Sequence, residues 1–273
     1  MIYKKVLLKD VSDFEVSADS FIEIYLNDIN NEVNIDPRLP MIVVPGGAYQ
    51  FCSQREGEPI ALRFAAEGFN CFVLHYTCYK KYPAPHNELA ALVDYIKRNS
   101  KEFNIDKNFI SMVGFSAGAH LVGSYSFVYK DFEKEYKLEK DYLKPSVILL
   151  GYPVTSMILE TQSLTKQIIT EDNEELINKL SVPENVTKDF PPTFIYVTKP
   201  DACVPIEHSY LLEKALTKNS VKHELLVFEN GVHGGSLFNH NVYNNDIDFD
   251  SYRENRTWVD KSVEFIYKVK NGN

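Results

Sequence analysis

Ile110-Ser111-Met112-Val113-Gly114-Phe115-Ser116-Ala117-Gly118-Ala119-His120-Leu121 is the stretch that decides the fold. A short apolar run ends in Gly-x-Ser-x-Gly and continues with the apolar spacing of a helix. A serine on such a sharp strand-to-helix turn needs small residues two positions away on each side, because strand and helix nearly touch there. Gly114 and Gly118 meet this need, so Ser116 is the candidate nucleophile. The turn also directs the backbone N–H of Ala117 towards any ligand bound over the serine.

Apolar runs alternate with helical patterns along the chain. The continuous apolar run at 41–44 is typical of a buried parallel strand, and strand-like stretches follow at 69–76, 147–150, 193–198 and 224–228. Between them lie helical patterns such as the apolar positions 89, 92, 93 and 96. An alternating stretch at 21–26 predicts one further, half-buried strand. The order predicts an α/β fold in which helices flank a mostly parallel central sheet, with residues 1–273 forming a single domain.

The charge balance excludes two classes of partner. Lys plus Arg is 29 and Asp plus Glu is 38, which gives a formal net charge of −9. An acidic chain is repelled by nucleic acid and by anionic membrane surfaces, so we expect neither partner. The first residues lack the long apolar stretch of a secretory signal, and no later run reaches membrane-spanning length. We therefore expect a cytoplasmic protein.

The cysteines give no sign of a metal or a cofactor. Cys52, Cys71, Cys78 and Cys203 form no Cys-x-x-Cys pair and show no ligand spacing with histidines. We expect reduced thiols, with Cys203 packed as a small hydrophobic side chain, and neither a metal ion nor a cofactor.

A nucleophilic serine requires a base and a carboxylate that orients the base. In a parallel sheet these groups are expected in loops at the carboxyl ends of strands. Asp201 follows the strand predicted at 193–198, and His233 follows the strand predicted at 224–228. The sequence therefore predicts Ser116, His233 and Asp201 as the catalytic residues.

Other histidines and acids compete for these roles. His240 lies in a polar loop soon after His233 and remains the serious competitor for the base. Asp189 precedes its strand, which places it at the wrong end of the sheet for the acid. The remaining histidines are expected to be structural: His75, His86, His120, His208 and His223.

A glycine loop follows the strand predicted at 41–44. Its sequence is Pro45-Gly46-Gly47-Ala48-Tyr49, and paired glycines let the backbone approach a ligand closely. Acyl transfer needs hydrogen-bond donors for a tetrahedral oxyanion. The backbone N–H groups of Gly47 and Ala48, with that of Ala117, are the predicted donors.

Two polar stretches have less specific patterns. Residues 129–144 are densely charged with both signs, and we expect a solvated surface segment. Residues 156–190 form a polar insertion with one predicted helix, whose apolar face contains Leu176, Ile177 and Leu180. A lid over the site and a simple surface excursion are both open for this insertion.

Taken together, the motifs resemble the α/β-hydrolase superfamily, within it the small bacterial esterases and acetyl esterases related to acetylxylan esterases and hormone-sensitive-lipase-like enzymes. The resemblance covers about residues 40 to 235 and keeps the superfamily order of serine, acid and histidine. Two positions depart from the usual pattern: Pro45 and Ala48 flank the glycine pair, and Pro200 precedes a single acid at Asp201. The matching segments are Pro45–Tyr49, Arg55–Pro59, Tyr82–Pro85, Gly114–Gly118, Pro191–Phe194, Asp201 with Val204 and Pro205, and Gly231–Gly234.

The resemblance implies an esterase. It implies a serine hydrolase of carboxylic esters with short acyl groups, including acetyl groups on a carbohydrate, and a small-molecule ester substrate. A peptidase or amidase of the same fold is one alternative, and a catalytically inactive hydrolase fold used for binding is another. Whether the chain forms a homo-oligomer is open.

Overall fold

The computed structural model describes residues 1–29, 32–33, 35–159, 163–243 and 249–272. The strands are β1 (Ile2–Leu7), β2 (Phe21–Leu26), β3 (Pro40–Val44), β4 (Asn70–His75), β5 (Ser111–Phe115), β6 (Val147–Gly151), β7 (Thr193–Thr198) and β8 (His223–Phe228). The helices are α1 (Glu58–Ala66), α2 (Ala84–Arg98), α3 (Ala117–Glu135), α4 (Ser163–Thr170), α5 (Glu174–Leu180), α6 (Val182–Asn185), α7 (Glu207–Lys218) and α8 (Trp258–Lys270).

One sheet runs through the described part of the chain in the order β1-β2-β4-β3-β5-β6-β7-β8. The strands from β4 to β8 pair in parallel, whereas β2 pairs antiparallel with both β1 and β4. The predicted mostly parallel sheet flanked by helices is therefore confirmed. Because β3, β5, β7 and β8 are parallel, the loops that follow them share one edge of the sheet.

The sheet is buried on both faces, which explains the continuous apolar runs of its strands. Neighbouring residues of β5 illustrate the alternation: Met112 belongs to a hydrophobic cluster that includes residues of α2, α3 and α7, and Val113 belongs to a second cluster that includes residues of α1 and α8. Among the described residues, no helix combines the length and the apolar character needed to cross a membrane.

The expectation of a solvated segment at 129–144 is wrong for part of the segment, although its lysines and most of its acidic residues are exposed or partly exposed. Helix α3 continues to Glu135, and Tyr129, Phe132 and Leu143 are buried. Glu133 is also buried, and its carboxylate accepts the N–H groups of Leu143 at 2.8 Å and Asp141 at 3.1 Å. Apolar residues at helical spacing alternate with charged residues in this segment. Its high charge density therefore gave no indication that one face of the helix packs against the core.

Two other segments hold more structure than the sequence indicates. Strand β1 lies at the sheet edge with most of its side chains exposed, so no buried face marks it in the sequence. The insertion at 156–190 contains α4, α5 and α6 rather than one helix, and residues 160–162 lie outside the described part.

Buried histidines fasten the insertion to the rest of the fold. His120 on α3 donates from Nε2 to the carbonyl of Leu180 at 3.0 Å and accepts the Tyr49 hydroxyl at Nδ1 at 2.8 Å. Nδ1 of His208 on α7 accepts the backbone N–H groups of Thr155 at 3.1 Å and Ser156 at 3.2 Å. Burial lowers the pKa of both imidazoles to about 4.

The depressed pKa of His208 predicts a specific dependence of stability on pH. Between its usual pKa of 6.5 and about 4, the unfolded chain binds a proton at His208 that the folded chain does not bind. The contribution of His208 to the free energy of unfolding therefore falls as pH drops through this window, by up to about 1.4 kcal/mol per pH unit. In His208→Asn, the amide oxygen still accepts the two N–H groups but does not titrate.

Urea unfolding of wild type and His208→Asn between pH 6.5 and 4.5 measures this contribution. We expect the stability of wild type to fall more steeply with decreasing pH than that of the variant. The exposed His240 supplies the control, because His240→Asn leaves the buried site intact. Equal slopes for wild type and His208→Asn would contradict the assignment.

Candidate active site

Ser116 occupies a strained turn between β5 and α3. Its φ of 51° lies in the left-handed region that side chains other than glycine rarely adopt. The turn is fixed by backbone hydrogen bonds: Ser116 N–H donates to Gly151 at 3.0 Å, and the Ser116 carbonyl accepts from His120 at 3.1 Å and Val154 at 3.2 Å. The hydroxyl of Ser116 is thereby held at the carboxyl edge of the sheet.

The two flanking glycines are required by close backbone contacts. A Cβ atom at Gly114 would lie 2.5 Å from the carbonyl oxygen of Gly118. A Cβ atom at Gly118 would lie 2.3 Å from the carbonyl oxygen of Val44 and 2.4 Å from that of Pro45. These contacts agree with the steric reason for which the sequence predicted the turn.

The structure brings the predicted base and acid to Ser116. His233 Nε2 lies 3.0 Å from Ser116 Oγ, and His233 Nδ1 lies 2.7 Å from Asp201 Oδ2. Because a carboxylate only accepts, Nδ1 carries the proton and Nε2 accepts from the serine hydroxyl. Oδ1 of Asp201 accepts the N–H groups of Cys203 and Val204, each at 2.8 Å, which fixes the carboxylate. The three residues thus form one hydrogen-bonded series.

The glycine loop passes beside Ser116. Gly47 and Ala48 have φ values of 127° and 52°, and a Cβ atom at Gly46 would lie 3.0 Å from Ser116 Cβ. Within the described residues, the N–H groups of Gly47, Ala48 and Ala117 donate to no other group of the chain. All three therefore remain available to a ligand over the serine.

Ser116, His233 and the glycine-loop residues Gly47 and Ala48 line a cleft of about 370 Å³. Phe51, Val204 and Ala48 supply apolar wall, and Arg55 and Thr165 supply polar groups. Thr165 belongs to α4, so the insertion forms part of the wall. The cleft also contains Gly47, Ser53, Glu56, Ser116, Cys203, His233 and Gly234.

The competing residues lie elsewhere. His240 and Asp189 are exposed, and neither lines the cleft. His120 and His208 are buried in the structural contacts described above, His86 hydrogen-bonds Ser124 at 2.7 Å, and His75 pairs with Glu23 at 2.8 Å, as expected for structural histidines.

The expectation that Cys203 packs as a small hydrophobic side chain is wrong, because it is exposed at the cleft. No disulfide joins the four cysteines, all of which are described.

The sequence did not single out Glu56 or Tyr152. Glu56 is buried against the glycine loop and accepts the N–H of Gly46 at 2.8 Å and the hydroxyl of Tyr152 at 2.6 Å. The ring of Tyr152 makes a T-shaped contact with the imidazole of His233, and the two ring centroids are 5.0 Å apart. Glu56 lies in the charged stretch Arg55-Glu56-Gly57-Glu58, and no local pattern separates it from a surface carboxylate.

Comparison with solved structures identifies the class of this fold. The carboxylesterase Cest-2923 from Lactobacillus plantarum WCFS1 is 26% identical, with a TM-score of 0.85 over 100% of this chain and 98% of that chain. An acetyl ester-xyloside bifunctional hydrolase from Caldicellulosiruptor lactoaceticus is 28% identical, with a TM-score of 0.78 over 98% of this chain and 96% of that chain. The chain has the α/β-hydrolase fold, as the sequence predicted.

The chain also matches one particular family among the proteins with this fold. Residues 22–216 match the BD-FAE family, and the chain belongs to it. Endo-1,4-beta-xylanase B from Butyrivibrio fibrisolvens is 32% identical over an alignment of 207 positions that covers 73% of this chain. The alignment covers 33% of that relative, so this chain spans about a third of its length.

A substitution that adds one methyl group at Gly118 tests its close contact with the carbonyl oxygens of Val44 and Pro45 at the end of β3. Gly118→Ala forces the β3 end and α3 apart, and we expect it to reduce the free energy of unfolding by about 3 kcal/mol or more. The matched control is Gly123→Ala on the same helix, where the new Cβ meets a side-chain methyl of Val182 at 3.1 Å. We expect this control to stay within about 1 kcal/mol of wild type. Similar losses in both variants, measured by denaturant unfolding, would exclude the proposed steric requirement.

Proposed function

We propose that the protein is a serine hydrolase of carboxylic esters, with Ser116 as nucleophile, His233 as general base and acid, and Asp201 as the orienting carboxylate. One observation carries the proposal: Ser116 Oγ, His233 and Asp201 are linked by hydrogen bonds of 3.0 Å and 2.7 Å, and Ser116 and His233 line one cleft. An unreactive hydroxyl becomes a nucleophile when a neighbouring base takes its proton.

The proposed reaction has two halves. Ser116 Oγ attacks the ester carbonyl while its proton passes to His233 Nε2, and the carbonyl oxygen becomes a tetrahedral oxyanion. The backbone N–H groups of Gly47, Ala48 and Ala117 donate to that oxyanion. His233 then gives the proton to the departing alcohol, leaving an acyl group on Ser116. Water, deprotonated by His233, attacks the acyl-enzyme and releases the acid.

Asp201 has two tasks in this scheme. Its Oδ2 accepts the Nδ1–H of His233, which keeps Nε2 unprotonated towards Ser116. Its charge also stabilises the imidazolium that forms during attack. The side chain of Asp201 is fully buried, so solvent does not weaken that interaction.

The cleft and the relatives support esters with short acyl groups. A volume of about 370 Å³ is near the lower end for small-molecule sites, and the cleft is bounded by Phe51 and Val204. Among the similar proteins, one is named a xylanase and another an acetyl ester-xyloside hydrolase. We therefore propose acetyl esters of carbohydrates as the substrate class, with the exposed ring of Phe51 as a stacking surface for sugar.

We propose that the insertion at 156–190 acts as a fixed wall of the cleft. Thr165 lines the cleft, and Ile169 of the same helix is buried and accepts the Tyr82 N–H at 3.0 Å. A wall anchored in this way limits the length of acyl group that fits beside Ser116.

Replacement of the nucleophile tests the function. Purified wild type and Ser116→Ala are compared on p-nitrophenyl acetate, butyrate and octanoate and on a p-nitroanilide. We expect wild type to prefer the short esters, and Ser116→Ala to lose at least about a thousandfold in rate. Ser126→Ala, on the same helix but outside the cleft, should keep wild-type activity. Equal rates for wild type and Ser116→Ala would refute the proposal, and turnover of the anilide alone would favour an amidase.

The identity of the base is tested separately. We expect His233→Gln to lose about a thousandfold or more in kcat, because in the described part of the chain no other side-chain base hydrogen-bonds to Ser116 Oγ. His240→Gln removes the competing histidine and should change kcat less than about twofold. The reverse pattern would transfer the base role to His240.

A further inference from the structure

We propose that Glu56 is a positioning residue of the esterase site. It joins the glycine loop to the loop that contains His233 and Ser236, here called the histidine loop, and it supports the charge that develops on His233. This inference rests on the proposed function and deepens it. Glu56 touches no reacting atom in the proposed scheme, so it acts through the groups that do.

One carboxylate oxygen of Glu56 fixes the glycine loop. Its Oε2 accepts the N–H of Gly46 at 2.8 Å, one residue before the proposed donor Gly47. The loop is also closed by turn hydrogen bonds, from the Gln50 N–H to the Gly47 carbonyl at 2.8 Å and from the Ser53 N–H to the Gly46 carbonyl at 3.0 Å. Its positive φ values at Gly47 and Ala48 are maintained by these bonds together with its surroundings. An acceptor in a fixed place therefore sets the direction of the donors that follow it.

The other carboxylate oxygen fixes the histidine loop. Oε1 accepts the hydroxyl of Tyr152 at 2.6 Å, and the oxygen of that hydroxyl accepts the N–H of Ser236 at 3.2 Å. Ser236 Oγ in turn donates to the carbonyl of Arg55 at 2.5 Å. Ser236 follows His233 by three residues, so the histidine loop is tied to the segment that carries Glu56 by one direct hydrogen bond and by a second route through Tyr152.

Burial makes this connection rigid and sensitive to charge. Glu56 is 3% exposed, and burial raises the pKa of its carboxyl above the usual range, while hydrogen bonds from Tyr152 and Gly46 and the charge of His233 oppose that rise. A negative charge on Glu56 attracts the positive charge that develops on His233 during the proposed reaction. The titratable and charged groups that face Glu56 from its neighbours are Arg55, Tyr76, Tyr152, Tyr196, His233 and Tyr243.

The required experiment compares Glu56→Gln with the matched control Glu58→Gln, which removes an exposed carboxylate two residues away. Glutamine keeps the shape of the side chain but has a single acceptor oxygen, so it cannot accept from both Gly46 and Tyr152. We expect kcat on p-nitrophenyl acetate to fall at least about tenfold in Glu56→Gln, with KM within about threefold of wild type. The control should match wild type in both.

Two further readouts separate positioning from a general structural role. Phenylboronic acid forms a tetrahedral adduct with a nucleophilic serine, and its affinity should fall in Glu56→Gln by about the same factor as kcat. Loss of the carboxylate removes a negative charge that attracts the imidazolium, so the acid limb of the kcat/KM profile should move to lower pH. A side chain that merely fills space would change neither.

Tyr152→Phe gives a second variant that keeps the ring but breaks the connection to Ser236. We expect a smaller loss of kcat in the same direction, and a double variant that loses less than the product of the two single losses, because both act on one connection. All variants are assayed below their unfolding temperatures.

The outcomes are distinguishable from failure of the proposed function. Wild-type turnover that disappears in Ser116→Ala, together with unchanged kcat, boronate affinity and pH profile in Glu56→Gln, would overturn the role of Glu56 alone. Absence of turnover in wild type would overturn both proposals. A loss of kcat with a shifted acid limb supports the inference.

Discussion

The close approach of the β5–α3 turn to the end of β3 is the constraint on which the rest of the site depends. The backbone of Gly118 lies so near the carbonyl oxygens of Val44 and Pro45 that no side chain fits between them. The same approach places Gly46 against Ser116 and holds the serine at a positive φ. One steric contact therefore positions both the Ser116 hydroxyl and the neighbouring loop of N–H donors. The strain of the turn is offset by the packing of the sheet and helices around it.

Buried polar contacts, rather than apolar packing alone, fix the loops around this turn. His120 and His208 secure the two ends of the insertion, and Glu56 secures the glycine loop. A buried polar group that loses its partner costs more than the bond itself gains, so each contact strongly disfavours alternative loop positions. The site is consequently held on edges of a rigid sheet by directional bonds, which suits groups that must stay aligned within a few tenths of an ångström.

Much of this arrangement could be predicted from local sequence. The apolar runs at 41–44 and 147–150 indicate buried strands, because a strand covered on both faces contains few polar residues. Gly-x-Ser-x-Gly indicates its turn because the steric requirement lies within five residues. Asp201 and His233 follow from strand ends once the sheet is parallel. Glu56 and the buried part of 129–144 could not be predicted in the same way, because their burial depends on elements distant in sequence.

Glu56 also shows why a buried charge suits this position better than an apolar side chain. An apolar residue would leave the Gly46 N–H and the Tyr152 hydroxyl without an acceptor, at a cost that exceeds the gain from apolar packing. In the proposed reaction, a positive charge develops on His233 while a negative charge develops over Gly47, Ala48 and Ala117. With the Asp201 carboxylate beside the imidazole and N–H groups beside the oxyanion, both charges form against fixed partners and need little rearrangement of solvent. The charge separation of the transition state is thus matched by dipoles and charges that the folded chain already holds in place.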